Sequence, residues 1–264
     1  MDLSFTLLNK KEVTVKEILY RDLRKLALYS DSSISNIIKF LESFIITKGL
    51  TVVEKLLAFF ILREKCIGEQ VAVGSTKGNV NIDLQLFKNN IGSFDDIQEE
   101  VVVDNIVCTL NYPTKFYTGD TDFIFSLIEK LKIEDEEIVV SLLSEKEYKD
   151  VFSRLPDSIF GHLEAFVDKN RSHFDILVFE GKENMKIDPI RINMFDISLT
   201  TFIVRLFDCV QDTDYREMIF TLSKRIPDVS YLTSCTFLEL NDYYKLYLDE
   251  IEKQNQDLKN QKIS

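Results

Sequence analysis

The sequence predicts an α+β protein, mostly helical, with a small antiparallel β-hairpin sheet inserted between N-terminal and C-terminal helical parts. Three observations lead there. Apolar residues recur at three- and four-residue steps along most of the chain, as in helices buried on one side, and alternate strictly only in short runs. Thr/Ser-x-x-Glu boxes, which satisfy orphan N–H groups at a helix start, precede several of the helical runs. Only eight glycines and four prolines interrupt 264 residues, which excludes collagen-like, low-complexity and glycine-loop architectures.

Leu3, Phe5 and Leu7 alternate with polar residues and read as a short edge strand; after a turn at Asn9-Lys10-Lys11-Glu12, Val13 begins a second. Thr14 and Glu17 spell a capping box and open a helix over residues 15–29, with Ile18, Leu19, Leu23, Leu26 and Leu28 apolar. A second helix fits residues 33–48, stopped by Gly49. A third opens at the Thr51–Glu54 box and runs to Cys66. Its block Leu56-Leu57-Ala58-Phe59-Phe60-Ile61-Leu62 is apolar on nearly every face, so this helix is expected at the centre of the core.

Val71 and Val73, then Val80, Ile82, Leu84 and Leu86, alternate about a glycine-bounded loop from Gly74 to Gly78, the pattern of a hairpin. Val101-Val102-Val103 and Ile106-Val107-Cys108-Thr109-Leu110 about an Asp104-Asn105 turn give another, ended by Tyr112-Pro113 because proline cannot donate to the ladder. These strands are expected to form one sheet. After Thr118-Gly119-Asp120, the residues Phe123, Phe125, Leu127, Ile128 and Leu131 suggest a short amphipathic helix running into Glu134-Asp135-Glu136-Glu137.

Ser144 and Glu147 box a helix ending at Leu155-Pro156, and Asp157 caps one carrying Ile159, Leu163, Phe166 and Val167. Phe174, Ile176, Val178 and Met185, Ile187 give a further hairpin around Glu180-Gly181-Lys182. Helices follow over residues 198–209 and 212–226, the second closed by Pro227, and a long terminal helix begins at Thr236. From Lys253 the chain is polar enough to fray. Three parts result: residues 1–119, helices plus hairpins; residues 120–252, mainly helical; and residues 253–264, a polar tail.

A net charge of −12 argues against a protein that wraps nucleic-acid phosphates, which needs clustered Lys and Arg. The longest apolar run, Leu56 to Leu62, is far short of the roughly 20 residues that span a bilayer. Asp2 stands where a signal peptide carries Lys or Arg. Cys66, Cys108, Cys209 and Cys235 stand apart in apolar segments without C-x-x-C spacing, so neither a disulfide framework nor a zinc site is expected, and folding in a reducing cytoplasm fits.

Catalytic signals are weak. His162 and His173 have no nucleophile spaced beside them. Gly74-Ser75-Thr76-Lys77-Gly78 superficially resembles a phosphate loop but joins two strands instead of opening a helix. Glu134-Asp135-Glu136-Glu137 lacks the alternation of a calcium loop and reads as a solvated helix-to-strand connection. Asp120 and Asp122 read as acids complementing a helix N-terminus. No catalytic residue, metal ligand or cofactor is therefore expected.

The terminal helix is the most suggestive feature. Phe237, Leu240, Tyr244 and Tyr247 or Leu248 recur at three- and four-residue steps as an apolar stripe, widened by Tyr243 and Leu246, with acids and Lys245 on the remainder. Such a stripe packs on its own domain or docks on a partner, tyrosine being suited to a contact that is apolar at one end and wet at the other. Phe237, Leu240, Tyr243, Tyr244 and Tyr247 are the candidate partner-binding residues.

Four stretches resemble the T4-type bacteriophage baseplate hub family of small hub subunits and hub-assembly proteins. They are Glu12-Val13-Thr14-Val15-Lys16-Glu17-Ile18; Leu62-Arg63-Glu64-Lys65-Cys66-Ile67-Gly68-Glu69 with the hairpin ending Asn81-Ile82-Asp83-Leu84; Glu147-Tyr148 through Leu155-Pro156; and Thr236-Phe237-Leu238-Glu239-Leu240 with the tyrosine-rich helix behind it. The resemblance implies a non-enzymatic structural or assembly component of the central hub of a contractile-tailed phage. It would assemble in the host cytoplasm, reside in the virion tail baseplate, and contact other hub and tail proteins, the tape-measure protein among them. No nucleic-acid, membrane or small-molecule partner is implied. Two alternatives stand beside it: an intracellular adaptor docking through its C-terminal helix, and a carboxylate- or metal-dependent enzyme whose residues converge only in the fold.

Overall fold

The computed structural model describes residues 2–7, 10–28, 33–75, 78–91, 97–134, 136–180, 188–208 and 212–263. It is 54% helix and 21% strand, the strands gathered in several small antiparallel sheets, an α+β protein.

Strands β1 (Asp2–Thr6) and β2 (Glu12–Lys16) pair antiparallel, with Phe5 opposite Val13 and Leu3 opposite Val15. Val13 and Val15 are fully buried. The chain after the second helix returns to the other edge of β2: Lys16 N donates to Phe44 O (2.7 Å), Ile46 N donates to Thr14 O (2.9 Å), and Thr14 N donates to Thr47 Oγ1 (2.8 Å). Thr14 is thus a strand residue, and the Thr14–Glu17 box caps nothing. Pairing on both edges of β2 wins over a local cap, and helix α1 spans Tyr20–Leu28 instead; Asn9 and Tyr29 lie outside the described residues. The same pairing ends α2 (Ile34–Glu42) well before Lys48. Gly49 does adopt a positive φ of 73°, but in the approach to the next helix.

Helix α3 (Val52–Cys66) has the expected boundaries. Thr51 N donates to Glu54 Oε2 (2.8 Å) and Glu54 N to Thr51 Oγ1 (3.3 Å), closing the capping box. Most of its circumference is buried, with Leu57, Ile61 and Glu64 left half-exposed along one side, and it packs against β2 and against three helices further along the chain. Thr51→Ala should cost about 1 kcal/mol in urea unfolding; an unchanged midpoint would contradict the cap's role.

Strands β3 (Gln70–Ser75) and β4 (Gly78–Asp83) form the expected hairpin. Ser75 pairs with Gly78, so the connection is tighter than the Gly74–Gly78 loop read from sequence, and Thr76 and Lys77 lie outside the described residues. The alternation through Leu84 and Leu86 does not continue the strand. The Asp83 carboxylate accepts from Gln85 N (2.8 Å), and α4 (Leu84–Ile91) begins there, burying Leu84 and Phe87 three residues apart.

The hairpin of β5 (Glu99–Val103) and β6 (Ile106–Leu110) does not join β3 and β4. It continues into β7 (Ile128–Ile133) and β8 (Glu136–Val139), in the order β5-β6-β7-β8. The amphipathic helix expected over residues 123–131 is a 3₁₀ segment, Thr121–Leu127, followed by β7. The register breaks where Thr109 faces Lys130 but Leu110 faces Ile128, leaving Glu129 as the extra residue. That bulge lets Ile128 and Leu131, three apart, both reach the core, which imitates a helical period in the sequence. The acidic run lies between and within two strands, not in a helix-to-strand connection: Glu134 follows β7 with φ 55°, and Glu136 and Glu137 are exposed residues of β8. Asp135 lies outside the described residues.

Helix α5 (Glu145–Phe152) carries the Ser144–Glu147 box and stops before Leu155-Pro156. Helix α6 (Ser158–Lys169) follows Asp157, whose side chain makes no capping bond. A short α7 (Arg171–Phe174) contains Phe174, where the sequence pattern predicts a strand. Strand β9 (Asp175–Phe179) then pairs with β10 (Ile190–Asn193). Gly181, Lys182, Met185 and Ile187, of the expected turn and return strand, lie outside the described residues, as does Cys209. Helices α8 (Ile197–Phe207), α9 (Asp212–Ser223), α10 (Val229–Ser234) and α11 (Phe237–Ile263) complete the chain. Helix α10 has no counterpart in the sequence reading, and α11 runs on through the polar stretch after Lys253, where the sequence predicts fraying. One cluster of buried residues links Val13, Phe59, Cys108, Leu131, Leu163, Phe202 and Leu240.

Candidate functional site

Helix α11 opens on a third box: Thr236 N and its hydroxyl donate to Glu239 Oε2 (2.7 and 3.0 Å), and Glu239 N donates to Thr236 Oγ1 (3.3 Å). This cap and the three-to-four spacing lay the aromatic stripe on the body. Leu240 is completely buried, while Phe237, Tyr243, Tyr244 and Tyr247 are half-buried against the core. The Phe237 ring lies 5.6 Å from buried Tyr20, which stacks on Tyr215 at 4.7 Å beneath the Arg24 guanidinium. The hydroxyls of Tyr243 and Tyr231 are 2.8 Å apart, a bond that pushes the Tyr231 phenol up. Leu246 and Leu248, assigned to the same stripe, instead face solvent at 66% and 46% exposure, and Phe220 of α9 at 65%. Residues 252–257 of α11 are exposed on every side.

His162 is exposed and His173 half-buried. Among the described residues no three His, Cys, Asp or Glu side chains are grouped to hold a metal ion. Cys66, Cys108 and Cys235 are buried free thiols. Burial pushes Cys66 and Cys108 up to about 11, Cys66 also accepting from Ile18 N at 3.4 Å. At pH 8 roughly one in a thousand of these sulfurs is thiolate, against about a tenth of thiols at the unperturbed 9.0. Alkylation at pH 8 followed by peptide mass spectrometry should therefore leave Cys66 and Cys108 unmodified in the native chain and label both in urea; rapid native labelling would contradict their burial. Because these folded-state values are raised from 9.0, their contribution to stability holds below about pH 9 and is lost as pH climbs through about 11.

A cleft of ≈ 450 Å³ beside α2 is lined by Lys39, Lys48, Lys55 and Lys115 together with Glu42 and Asp120. Lys55 is tied to Glu42 Oε1 and to Thr114 O, both at 2.7 Å. The Lys115 ammonium lies over the Tyr148 ring, 3.1 Å from its centroid, so two of the four ammonium groups are engaged within the chain.

The candidate features are thus a half-buried aromatic stripe, exposed apolar side chains on α9 and α11, and a lysine-lined cleft. A family model described as T4 bacteriophage base plate protein matches residues 1–191, nearly three quarters of the chain. The chain belongs to the T4 bacteriophage base plate protein family. No curated protein and no solved structure gives a significant match. Family membership makes the chain a structural protein of the phage tail base plate in the virion, among other tail and base plate proteins. The matched residues take in every sheet up to the start of β10, whereas α8 to α11, with all five candidate partner-binding residues, lie beyond them.

Proposed function

We propose that this base plate protein is a structural or assembly component of the central hub of a contractile-tailed phage, acting through protein–protein contacts with hub and tail proteins, including the length-determining tape-measure protein. It is made in the host cytoplasm and contributes surfaces instead of chemistry. The family match over residues 1–191 carries the reading; the exposed apolar side chains on α9 and α11 support it. In this reading Leu240 anchors α11 to the body, while the outer edges of Phe237, Tyr243, Tyr244 and Tyr247 and the neighbouring Leu246 and Leu248 meet the partner. Cross-linking mass spectrometry of purified tails tests the hub position. Cross-links from α9 and α11 to central hub or tape-measure proteins are expected; cross-links confined to peripheral base plate proteins would refute it.

A further inference from the structure

Among the described residues, two hairpins of the fold end in strands with no neighbour on their outer side. β3 pairs with β4 alone, and β10 with β9 alone. In an antiparallel pair, alternate residues direct both backbone groups at the partner strand, and the residues between direct theirs outward. Leu84 N donates to Glu69 O (2.7 Å), and the register Gln70↔Asp83, Val71↔Ile82, Ala72↔Asn81 continues from that bond. Glu69 and Val71 therefore bond inward, and Gln70 and Ala72 face outward. The outward carbonyl of Gln70 is indeed met from outside the hairpin, by Arg63 Nη2 at 2.5 Å.

The same logic holds in β10. Met194 N donates to Phe174 O (3.0 Å), so in the register Asn193↔Asp175, Ile192↔Ile176, Arg191↔Leu177 the outward residues are Asn193 and Arg191. The Ser198 hydroxyl accepts from Asn193 N at 2.7 Å. Of these four outward residues Ala72 and Arg191 remain, and among the described residues nothing bonds to their outward N–H and C=O groups.

Both line one groove of ≈ 450 Å³, Ala72 on the β3 side and Arg191 on the β10 side, with Phe202 and Leu206 of α8 below; among the described residues, neither β4 nor β9 contributes to it. Open main-chain edges on both sides of a groove are matched by another main chain, and buried Phe202 and Leu206 offer an apolar seat for its alternate side chains. Among the described lining residues, exposed Arg191 and Arg205 outnumber the carboxylate of Asp208, which favours an acidic segment. A strand in this place would join β4-β3 to β10-β9, over α4, which packs on β4 and β9, and α8, which packs on β10. We infer that the groove receives an extended, acidic segment of a partner tail or base plate protein as an added β-strand, an inference that rests on the protein-contact role proposed above.

Proline at position 72 removes the outward N–H while leaving the inward bonds of Val71 intact. Supplied in trans to a phage lacking the gene, Ala72→Pro should weaken the contact at least about tenfold and yield correspondingly few assembled tails by electron microscopy, whereas Ala72→Ser restores them. Arg191→Glu with Arg205→Glu should fail likewise, with the melting temperature of the purified chain unchanged. Normal tails from folded Ala72→Pro overturn the inference; if Ala72→Pro does not fold, the double arginine variant decides in the same way. A purified chain that is dimeric, and that Ala72→Pro turns monomeric, would make a second copy the occupant and overturn the assignment to a partner. Normal tails from the phage lacking the gene altogether would instead remove the assembly role itself, a distinct failure.

Discussion

Phe59→Ala is expected to destabilise the chain by about 4 kcal/mol, the cost of deleting a phenyl ring from a close-packed core plus the cavity it leaves. Phe59 is completely buried at the middle of α3, stacked on Phe116 with centroids 6.0 Å apart and met edge-on by Phe207 at 5.9 Å. Those partners come from the connection after β6 and from α8, so the ring ties three distant stretches of the chain together. The melting midpoint should fall by roughly 10 °C for a chain of this size. Ile61, on the half-exposed side of the same helix, provides the control: Ile61→Ala should cost clearly less. Equal losses at the two positions in calorimetry would contradict the placement of α3.

Arg63→Met should cost about 3 kcal/mol for a different reason. The guanidinium is buried and donates to Gly68 O at 2.6 Å and to Gln70 O at 2.5 Å, closing the corner where α3 turns into β3. Gly68 makes that corner with a φ of 124°, a conformation that L side chains rarely adopt. Methionine keeps most of the stem's packing and removes the donors, leaving two carbonyls poorly paired. Arg63→Lys should rescue little, because one ammonium cannot reproduce the planar fork. Urea midpoints matching the unsubstituted chain in both variants would show that the corner is held by other means.

Local signals were the legible part of this fold. The boxes at Thr51 and Ser144 cap helices because nothing distant competes for their N–H groups. The identically spelled Thr14–Glu17 box fails because β1 and residues 44–47 take both edges of β2. Leu84 and Phe87, and likewise Ile128 and Leu131, show how a helix start can extend a strand pattern and a bulge can imitate a helix. Which hairpins share a sheet depends on contacts that no window of sequence contains. The aromatic stripe of α11 was legible as a stripe, but its direction was set by Tyr20 and Tyr215, far away in the chain. The groove between Ala72 and Arg191 was invisible, since its walls stand more than a hundred residues apart and only the hydrogen-bond phase of each hairpin reveals its open edge.

The most direct test of the central claim is electron microscopy of lysates from cells infected by a phage lacking this gene. A base plate component acting through its surfaces predicts that complete base plates and tails are missing, that the unsubstituted chain supplied in trans restores them, and that His162→Ala restores them equally well. Normal numbers of intact tails without the gene, or a requirement for His162, would contradict it.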